Sequence, residues 1–207
     1  MGTTGMERRP YSAGAVKFSF WFMEFRKTVQ LLADGKTYAD IKKMNEEKNI
    51  YAAATKARAQ TIYSTVTARI KMLDSSFYAL FLSGDLTTQK MFALVAALAH
   101  DTLFFDFVYE VVREKVILGT NELTDADIRI FFKNKQAQSE KVAAFQDYTL
   151  HRLGSCYKTQ LMEAGVLDDK RTSNKRKILK PILDIELEHW LQDHNYGIMV
   201  NALTGVR

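Results

Sequence analysis

The sequence predicts an all-α protein, and three observations lead to that prediction. The 207 residues include only 10 glycines and 2 prolines, too few for the many tight turns of a β-sandwich or barrel. Hydrophobic residues make up 47% of the chain and the net charge is only +5, a combination that argues against intrinsic disorder. Apolar residues also recur at spacings of three and four along most of the chain. We therefore expect helices packed around a sizeable core.

The first hundred residues show the apolar periodicity of core-facing helices. Residues 18–32 carry an apolar stripe that stops at an Asp-Gly pair, and residues 38–48 read as a short charged helix. Residues 52–73 predict a long helix with one apolar face, and residues 77–82 predict a short apolar helix. Residues 89–100 are apolar almost all round, so we expect this helix at the centre of the core.

The second half of the chain continues the helical pattern. Residues 103–118 predict a helix that ends at a glycine. Thr124 and Asp127 resemble a capping box, which opens a helix that extends to about residue 135. Residues 143–164 form another long helix in this prediction, and its apolar face points inward. Two short C-terminal helices are expected at 185–193 and 198–203.

A short hairpin and a domain boundary complete the predicted architecture. The apolar pairs at 166–167 and 178–179 flank a polar turn and could form the two strands of a hairpin. The predicted domains are an N-terminal helical bundle, 1–119, and a C-terminal winged-helix-like module, 120–207. The order of helix, capped helix, long helix and basic hairpin is that of a winged helix-turn-helix, whose third helix lies in the major groove of DNA.

Positive charge is concentrated in two blocks. Residues 48–72 contain five basic residues and no acid, and residues 170–183 contain six basic residues and no acid. The isoelectric point near 9.2 thus arises from local clusters. Clustered charge produces a local potential that evenly mixed charge does not, so we expect a polyanionic partner, with nucleic acid as the first candidate.

Candidate nucleic-acid-binding residues lie on two predicted helices and in the second basic block. On the helix at 52–73, candidates spaced by three, four and four residues would line one flank beside the apolar stripe; they are Arg58, Thr61, Thr65 and Arg69. The alternative is a solvated helix face. The helix at 143–164 would present Arg152 and Lys158 outward, to a guanine edge or to a phosphate.

The second basic block would form the wing. Its candidates for contacts to backbone phosphates are Lys170, Arg171, Lys175, Arg176, Lys177 and Lys180. A flexible solvated loop is the alternative interpretation, because the Thr-Ser-Asn centre of this block also suits disorder.

The sequence predicts no enzyme. Glu110 and Glu114 share a helix face with basic neighbours, a pattern typical of an exposed charged helix. The four histidines show no metal-ligand spacing, and the lone Cys156 fits neither a disulfide nor a structural zinc site. We therefore expect no catalytic residue, no metal and no cofactor. We also expect a cytoplasmic protein with no membrane partner, because no apolar run is long enough for a bilayer span.

Five groups of residues, taken in chain order, carry a family resemblance. They are YSAG at 11–14, GDL at 84–86 with QK at 89–90, FVYEVVREK at 107–115, LT at 123–124 with FF at 131–132, and LMEAGVL at 161–167. This ordered set, which covers most of the chain, resembles the BrxA family, a small component of BREX phage-defence systems. The resemblance implies a cytoplasmic, all-helical bacterial protein without known catalytic activity. It also implies binding to double-stranded DNA and a likeness to transcription antitermination factors.

These observations favour a non-enzymatic accessory protein of a BREX defence system that contacts duplex DNA mainly through phosphates. An RNA-binding antitermination-like module is the first alternative. An adaptor that docks other BREX proteins through its helices is the second. The oligomeric state stays open at this point.

Overall fold

Two compact units divide the chain. The computed structural model describes residues 8–169 and 174–205. One unit comprises residues 20–100, and the other comprises the described parts of 1–19 and 101–207. The boundary at residues 119 and 120 that the sequence suggested falls inside the second of these units.

The unit at 20–100 contains the helices expected from its periodicity. They are α1 (Phe22–Ala33), α2 (Tyr38–Lys48), α3 (Lys56–Ile70), α4 (Phe77–Ser83) and α5 (Leu86–His100). Helix α3 is shorter at both ends than predicted. It begins where the Thr55 hydroxyl accepts a hydrogen bond from the backbone N–H of Arg58, an N-cap that ends the preceding loop.

An aromatic cluster forms the core of this unit. Phe77 stacks on Phe92 at 5.4 Å between ring centroids and meets Phe81 edge to face at 6.0 Å. Phe25 of α1 adds a third layer, 5.6 Å from Phe81. All residues of α5 from Thr88 to Ala99 are buried apart from Lys90, which confirms that this helix occupies the core.

The second unit holds the remaining helices and both strands. A π-helical segment, Val108–Val112, joins its first two helices, and a 3₁₀ turn, Gly14–Lys17, lies in its N-terminal segment. The elements are α6 (Thr102–Phe107), α7 (Arg113–Leu118), β1 (Glu122–Thr124), α8 (Asp125–Gln138), α9 (Glu140–Ala143), α10 (Asp147–Glu163), β2 (Lys175–Lys177), α11 (Ile185–Asp193) and α12 (Gly197–Thr204). The fold is therefore all-α apart from one small sheet.

The small sheet has two antiparallel strands. Leu123 of β1 lies opposite Arg176 of β2, so the strands are in register along three residue pairs. The predicted contact between the two apolar pairs is also present, because Leu167 forms an antiparallel bridge with Ile178 and Leu179 donates its N–H to the Val166 carbonyl. Strand β1 was not predicted, since a three-residue strand carries almost no periodic signal.

Helix α10 occupies the core of the second unit. Tyr157 is fully buried and stacks on Phe104 at 4.5 Å and on Phe107 at 5.6 Å. The residues predicted to face inward are all buried: Leu150, Leu153, Tyr157, Leu161 and Ala164. Helices α8 and α10 approach so closely at Gly154 that a Cβ atom there would lie 2.6 Å from Cγ2 of Ile128. Only glycine fits this contact without displacement.

No single helix in the described part of the chain is long and apolar enough to cross a membrane. Helix α5 and the stretch from α6 to α7 reach the length and apolarity of a membrane span only when they are taken together. Most residues of α5 are buried.

Candidate nucleic-acid interface

The basic strand β2 displays cations on two different faces. Lys175 and Lys177 are exposed, whereas Arg176 between them is half-buried. This alternation is what the two-residue period of a strand predicts for three consecutive basic residues. The Lys175 ammonium lies 3.2 Å from the Glu122 carboxylate of β1, so that part of its charge is offset.

Arg176 has a buried donor that no described residue satisfies. Its Nη1 atom is inaccessible to solvent and makes no hydrogen bond within the described part of the chain. The guanidinium borders a cavity of about 370 Å³ whose other walls come from α10. These walls are Ser155, Lys158, Thr159, Met162 and Glu163. A buried N–H without an acceptor costs roughly 1–3 kcal/mol, and because Nη1 has almost no accessible surface, an anion in the cavity would reach it only after the side chain moved.

The exposed face of α10 adjoins the same cavity. Of the two side chains predicted to face outward, Arg152 is exposed and Lys158 is half-buried, and the other side chains of this face are exposed: Tyr148, His151, Ser155 and Thr159. Arg152 is held over the Tyr148 ring at 5.9 Å, and its Nη1 donates to the Tyr148 hydroxyl at 3.2 Å. This hydrogen bond raises the pKa of Arg152, and the guanidinium stays positively charged.

Lys158 is less available than the sequence suggested. Its ammonium makes an ion pair of 2.6 Å with the Asp125 carboxylate at the start of α8. The pair holds Lys158 beside the cavity but offsets its charge. Lys177 and Lys180 are exposed, and neither makes an ion pair with another described residue. Lys170 and Arg171, the first two candidates in this block, lie outside the described residues.

The predicted flank on α3 is wrong for two of its four residues. Arg58 is exposed, with its guanidinium 4.7 Å from the centroid of the Trp21 ring, and Thr61 is partly exposed. Thr65 and Arg69 are each only 4% exposed. The Arg69 Nη1 donates to the Phe20 carbonyl at 2.8 Å, a contact that turns its side chain into the core. These four residues therefore do not form a continuous basic surface.

We expect Arg69→Ala to destabilise the unit at 20–100 by about 2–4 kcal/mol, because it removes a buried charged hydrogen bond and leaves a void. Arg58→Ala, the matched control on the same helix, should cost less than about 1 kcal/mol, since the side chain is exposed and loses only one cation–π contact. Urea denaturation of each variant measures the difference. Equal costs would contradict the structural role of Arg69.

Sequence reasoning missed a buried ionic cluster in the second unit. Asp106 and Lys135 are each 3% exposed, and the Lys135 ammonium lies 2.9 Å from an Asp106 carboxylate oxygen. Arg8 donates twice to Asp106, at 2.8 and 2.9 Å, and the Tyr11 hydroxyl donates to it at 2.6 Å. Glu110, in the π-helical segment, accepts a further hydrogen bond from Lys135. The cluster fastens the N-terminal segment to the helices.

A signal for this cluster is present in the sequence. Lys135 stands seven residues after Ile128 and four after Phe131, so it occupies the inward stripe of its helix. Asp106 interrupts a run of apolar residues in the same way. Burial opposes the charge of Lys135, but hydrogen bonds to Glu110 and Asp106 outweigh that effect and raise its pKa. The ammonium is therefore charged at neutral pH.

The lone cysteine lies on α10, one residue before the buried Tyr157. Burial raises the pKa of the Cys156 thiol, and the nearby Arg152 only partly opposes this effect. A thiol with a raised pKa is a poor nucleophile at neutral pH.

Comparison with known proteins identifies similar chains. A family model described as BrxA matches residues 9–195. A protein from Bacillus cereus (strain H3081.97) described as "BREX protein BrxA" is 38% identical over 184 residues, which cover 89% of this chain and 91% of the relative. A protein of the same description from Escherichia coli O9:H4 (strain HS) is 24% identical over 130 residues, 63% of this chain and 61% of that relative.

A solved structure shares the fold. The crystal structure of an uncharacterized protein from Magnetospirillum magneticum matches with a TM-score of 0.81 and 19% sequence identity. The match covers 96% of this chain and all of that chain.

Proposed function

The chain belongs to the BrxA family of BREX proteins, and from this premise we propose that it is a non-enzymatic accessory protein that binds duplex DNA mainly through phosphates. Its partners would then be DNA and other BREX proteins. The observation that carries the proposal is the position of Arg176, a half-buried side chain of β2 that lines a cavity beside α10.

A phosphate group suits the Arg176 cavity. The planar guanidinium presents fixed N–H donors that match phosphate oxygens, and such charge-assisted hydrogen bonds are short and strong. The Ser155 and Thr159 hydroxyls in the cavity wall already donate to helix carbonyls at 3.1 and 3.0 Å. Glu163 also lines the cavity, and its carboxylate would repel an anion that came close to it. The geometry therefore favours one phosphate oxygen that enters from the open side.

The surroundings of the cavity extend this interaction along a duplex. Lys177 and Lys180 are exposed beyond Arg176, and Arg152 is exposed on α10. The order of α6 to α7, β1, α8, α10 and β2 resembles that of a winged helix-turn-helix, in which a helix enters the major groove and the wing contacts the backbone. Cations that meet phosphates position a protein on DNA without reading its sequence.

One titration tests the proposed function. Labelled duplex DNA, duplex RNA and single-stranded DNA are each titrated with the protein at two salt concentrations. We expect duplex DNA to bind most tightly, and its log affinity to fall with log salt at a slope of roughly −4 to −5 if about five phosphates are neutralised. Stronger binding to RNA would support the antitermination-like alternative. Binding that ignores salt would overturn the phosphate-based interface.

A single variant tests the observation that carries the proposal. Arg176→Gln should weaken duplex DNA binding by about tenfold and flatten the salt slope by about 0.9, because one charged phosphate contact is lost. Thermal stability should hold or rise slightly, since a buried unsatisfied donor is removed. Arg26→Gln makes the same charge change at an exposed position of α1 and is the matched control. Equal losses in both variants would refute a specific role for Arg176.

A further inference from the structure

The N-terminal segment is fastened to the second unit at two places. At its start, Arg8 and Tyr11 both donate hydrogen bonds to the buried Asp106 carboxylate. Further along, the 3₁₀ turn Gly14–Lys17 packs against α10, and Ala15 in this turn is only 5% exposed. The turn is therefore part of the folded unit, and the side chains that it carries have a defined place beside α10.

The 3₁₀ turn holds Arg152 on the outward face of α10. The Arg152 Nη2 atom donates to the Val16 carbonyl at 3.3 Å, while its Nη1 atom donates to the Tyr148 hydroxyl at 3.2 Å. These two hydrogen bonds to described residues orient the guanidinium and use two of its five N–H donors. Because Arg152 is exposed, the other three donors can reach a ligand.

Lys17 brings a second cation to the same place. The Val16 carbonyl belongs to the peptide unit that joins Val16 to Lys17, so the Lys17 Cα atom lies about 3 Å from that oxygen and within about 7 Å of the Arg152 Nη2 atom. Lys17 is exposed, and neither Lys17 nor Arg152 makes an ion pair with another described residue. An anion that binds between these two side chains gains from both charges.

The Arg176 cavity lies on the same face of α10 as this pair of cations. Arg152 and Thr159 are seven residues apart, close to two helical turns, so they share a face and are separated by about 10 Å along the helix axis. Thr159 lines the cavity together with Arg176. This separation is similar to the width of the DNA major groove, about 12 Å, so one duplex can contact both places through different phosphates.

We propose that the N-terminal segment belongs to the nucleic-acid interface, and that Lys17 and Arg152 together bind one backbone phosphate of duplex DNA. The Val16 carbonyl positions the Arg152 guanidinium for this contact. A contact to phosphate carries no sequence information, so the pair adds affinity without base specificity. The inference rests on the proposed function, and it adds to the interface an element that lies 136 residues before Arg152 in sequence.

Loss of the Lys17 charge tests the proposal. Lys17→Gln should weaken duplex DNA binding by about three- to tenfold, and the loss should shrink as salt rises, because a contact to phosphate is lost. Lys36→Gln is the matched control, since it makes the same charge change at an exposed lysine of the unit at 20–100. Thermal melts should show both variants folded, because both side chains are in solvent. Equal losses of affinity in the two variants would overturn the local role of Lys17.

Cross-linking tests the position of the turn on DNA. In a Cys156→Ser background, Lys17→Cys and Lys36→Cys each supply a single thiol, which is labelled with a photoactivatable aryl azide. At protein concentrations that saturate duplex DNA, the label at residue 17 should cross-link to the DNA much more efficiently than the label at residue 36. If the labelled proteins bind duplex DNA but the two labels cross-link equally, the further inference fails and the proposed function stands. If the parent chain does not bind duplex DNA, both fail.

Discussion

Asp106→Ala is expected to lower the free energy of unfolding of the second unit by about 3–5 kcal/mol. The substitution removes the acceptor shared by Arg8, Tyr11 and Lys135, and it leaves the buried Lys135 ammonium with one carboxylate partner. Breaking a buried ion pair by removal of one partner is costly, because the remaining charge has already lost its hydration. The start of the N-terminal segment should also loosen, since Arg8 and Tyr11 both bind this carboxylate.

The measurement must separate the two units. The chain has two tryptophans, Trp21 in one unit and Trp190 in the other, so urea denaturation in a Trp21→Phe background reports on the second unit. Glu122→Ala is the control, because it removes an exposed carboxylate of the same unit, one that pairs with Lys175 at 3.2 Å. Its cost should stay below about 1 kcal/mol. A comparable small cost for Asp106→Ala would show that the buried cluster contributes little to stability.

Elements that depend on local periodicity could be predicted from the sequence. The inward and outward faces of α10 follow from a spacing of three and four residues, and the alternation of Lys175, Arg176 and Lys177 follows from the period of a strand. The capping box at Thr124 is present as predicted, with the Asp127 carboxylate accepting from the Thr124 N–H at 2.7 Å. Each of these patterns is contained within a few residues of chain.

Contacts between distant residues could not be predicted in the same way. Arg69 has the spacing of a surface flank, but the carbonyl that it binds belongs to Phe20, which is 49 residues away in sequence. The pair of Arg8 and Asp106 spans 98 residues. Arg176 was predicted to contact phosphate as part of a basic block, yet its buried nitrogen and the adjacent cavity exist only because β2 packs beside α10. Burial of a charged side chain depends on which segments the fold brings together.

Reversal of all three basic residues of β2 should nearly abolish DNA binding at moderate salt. Lys175→Glu, Arg176→Glu and Lys177→Glu together change the local charge from +3 to −3. Repulsion from the phosphates should then reduce affinity by at least about a hundredfold. Glu122 of β1 lies opposite residue 177, so the reversed strand also meets a like charge within the sheet. A triple change to Gln removes the positive charge without that repulsion and should weaken binding by a smaller but clear factor.

The two faces of β2 should contribute unequally to DNA binding. Arg176 points toward the cavity beside α10, whereas Lys175 and Lys177 point to the opposite face, where Lys175 already pairs with Glu122. Arg176→Gln should therefore cost more affinity than Lys175→Gln, and Lys177→Gln should fall between them because its ammonium is exposed and makes no ion pair with another described residue. Equal losses at all three positions would indicate a flexible basic tether in place of a packed wing.

A charge-matched control separates the strand from the net charge of the protein. Lys36→Glu, Lys42→Glu and Lys43→Glu make the same change of −6 on an exposed region of the unit at 20–100. If the DNA contact is local to β2, this variant should retain most of the parent's affinity, because interactions between exposed charges are largely screened beyond a Debye length of about 10 Å at 0.1 M salt. Thermal melts first show that the two triple variants are folded. Duplex DNA is then titrated with each variant at the same salt concentration, and the two affinities are compared. If the variant reversed in β2 bound duplex DNA as tightly as the parent, the wing would not be a DNA contact, and the interface would have to lie on the N-terminal helices.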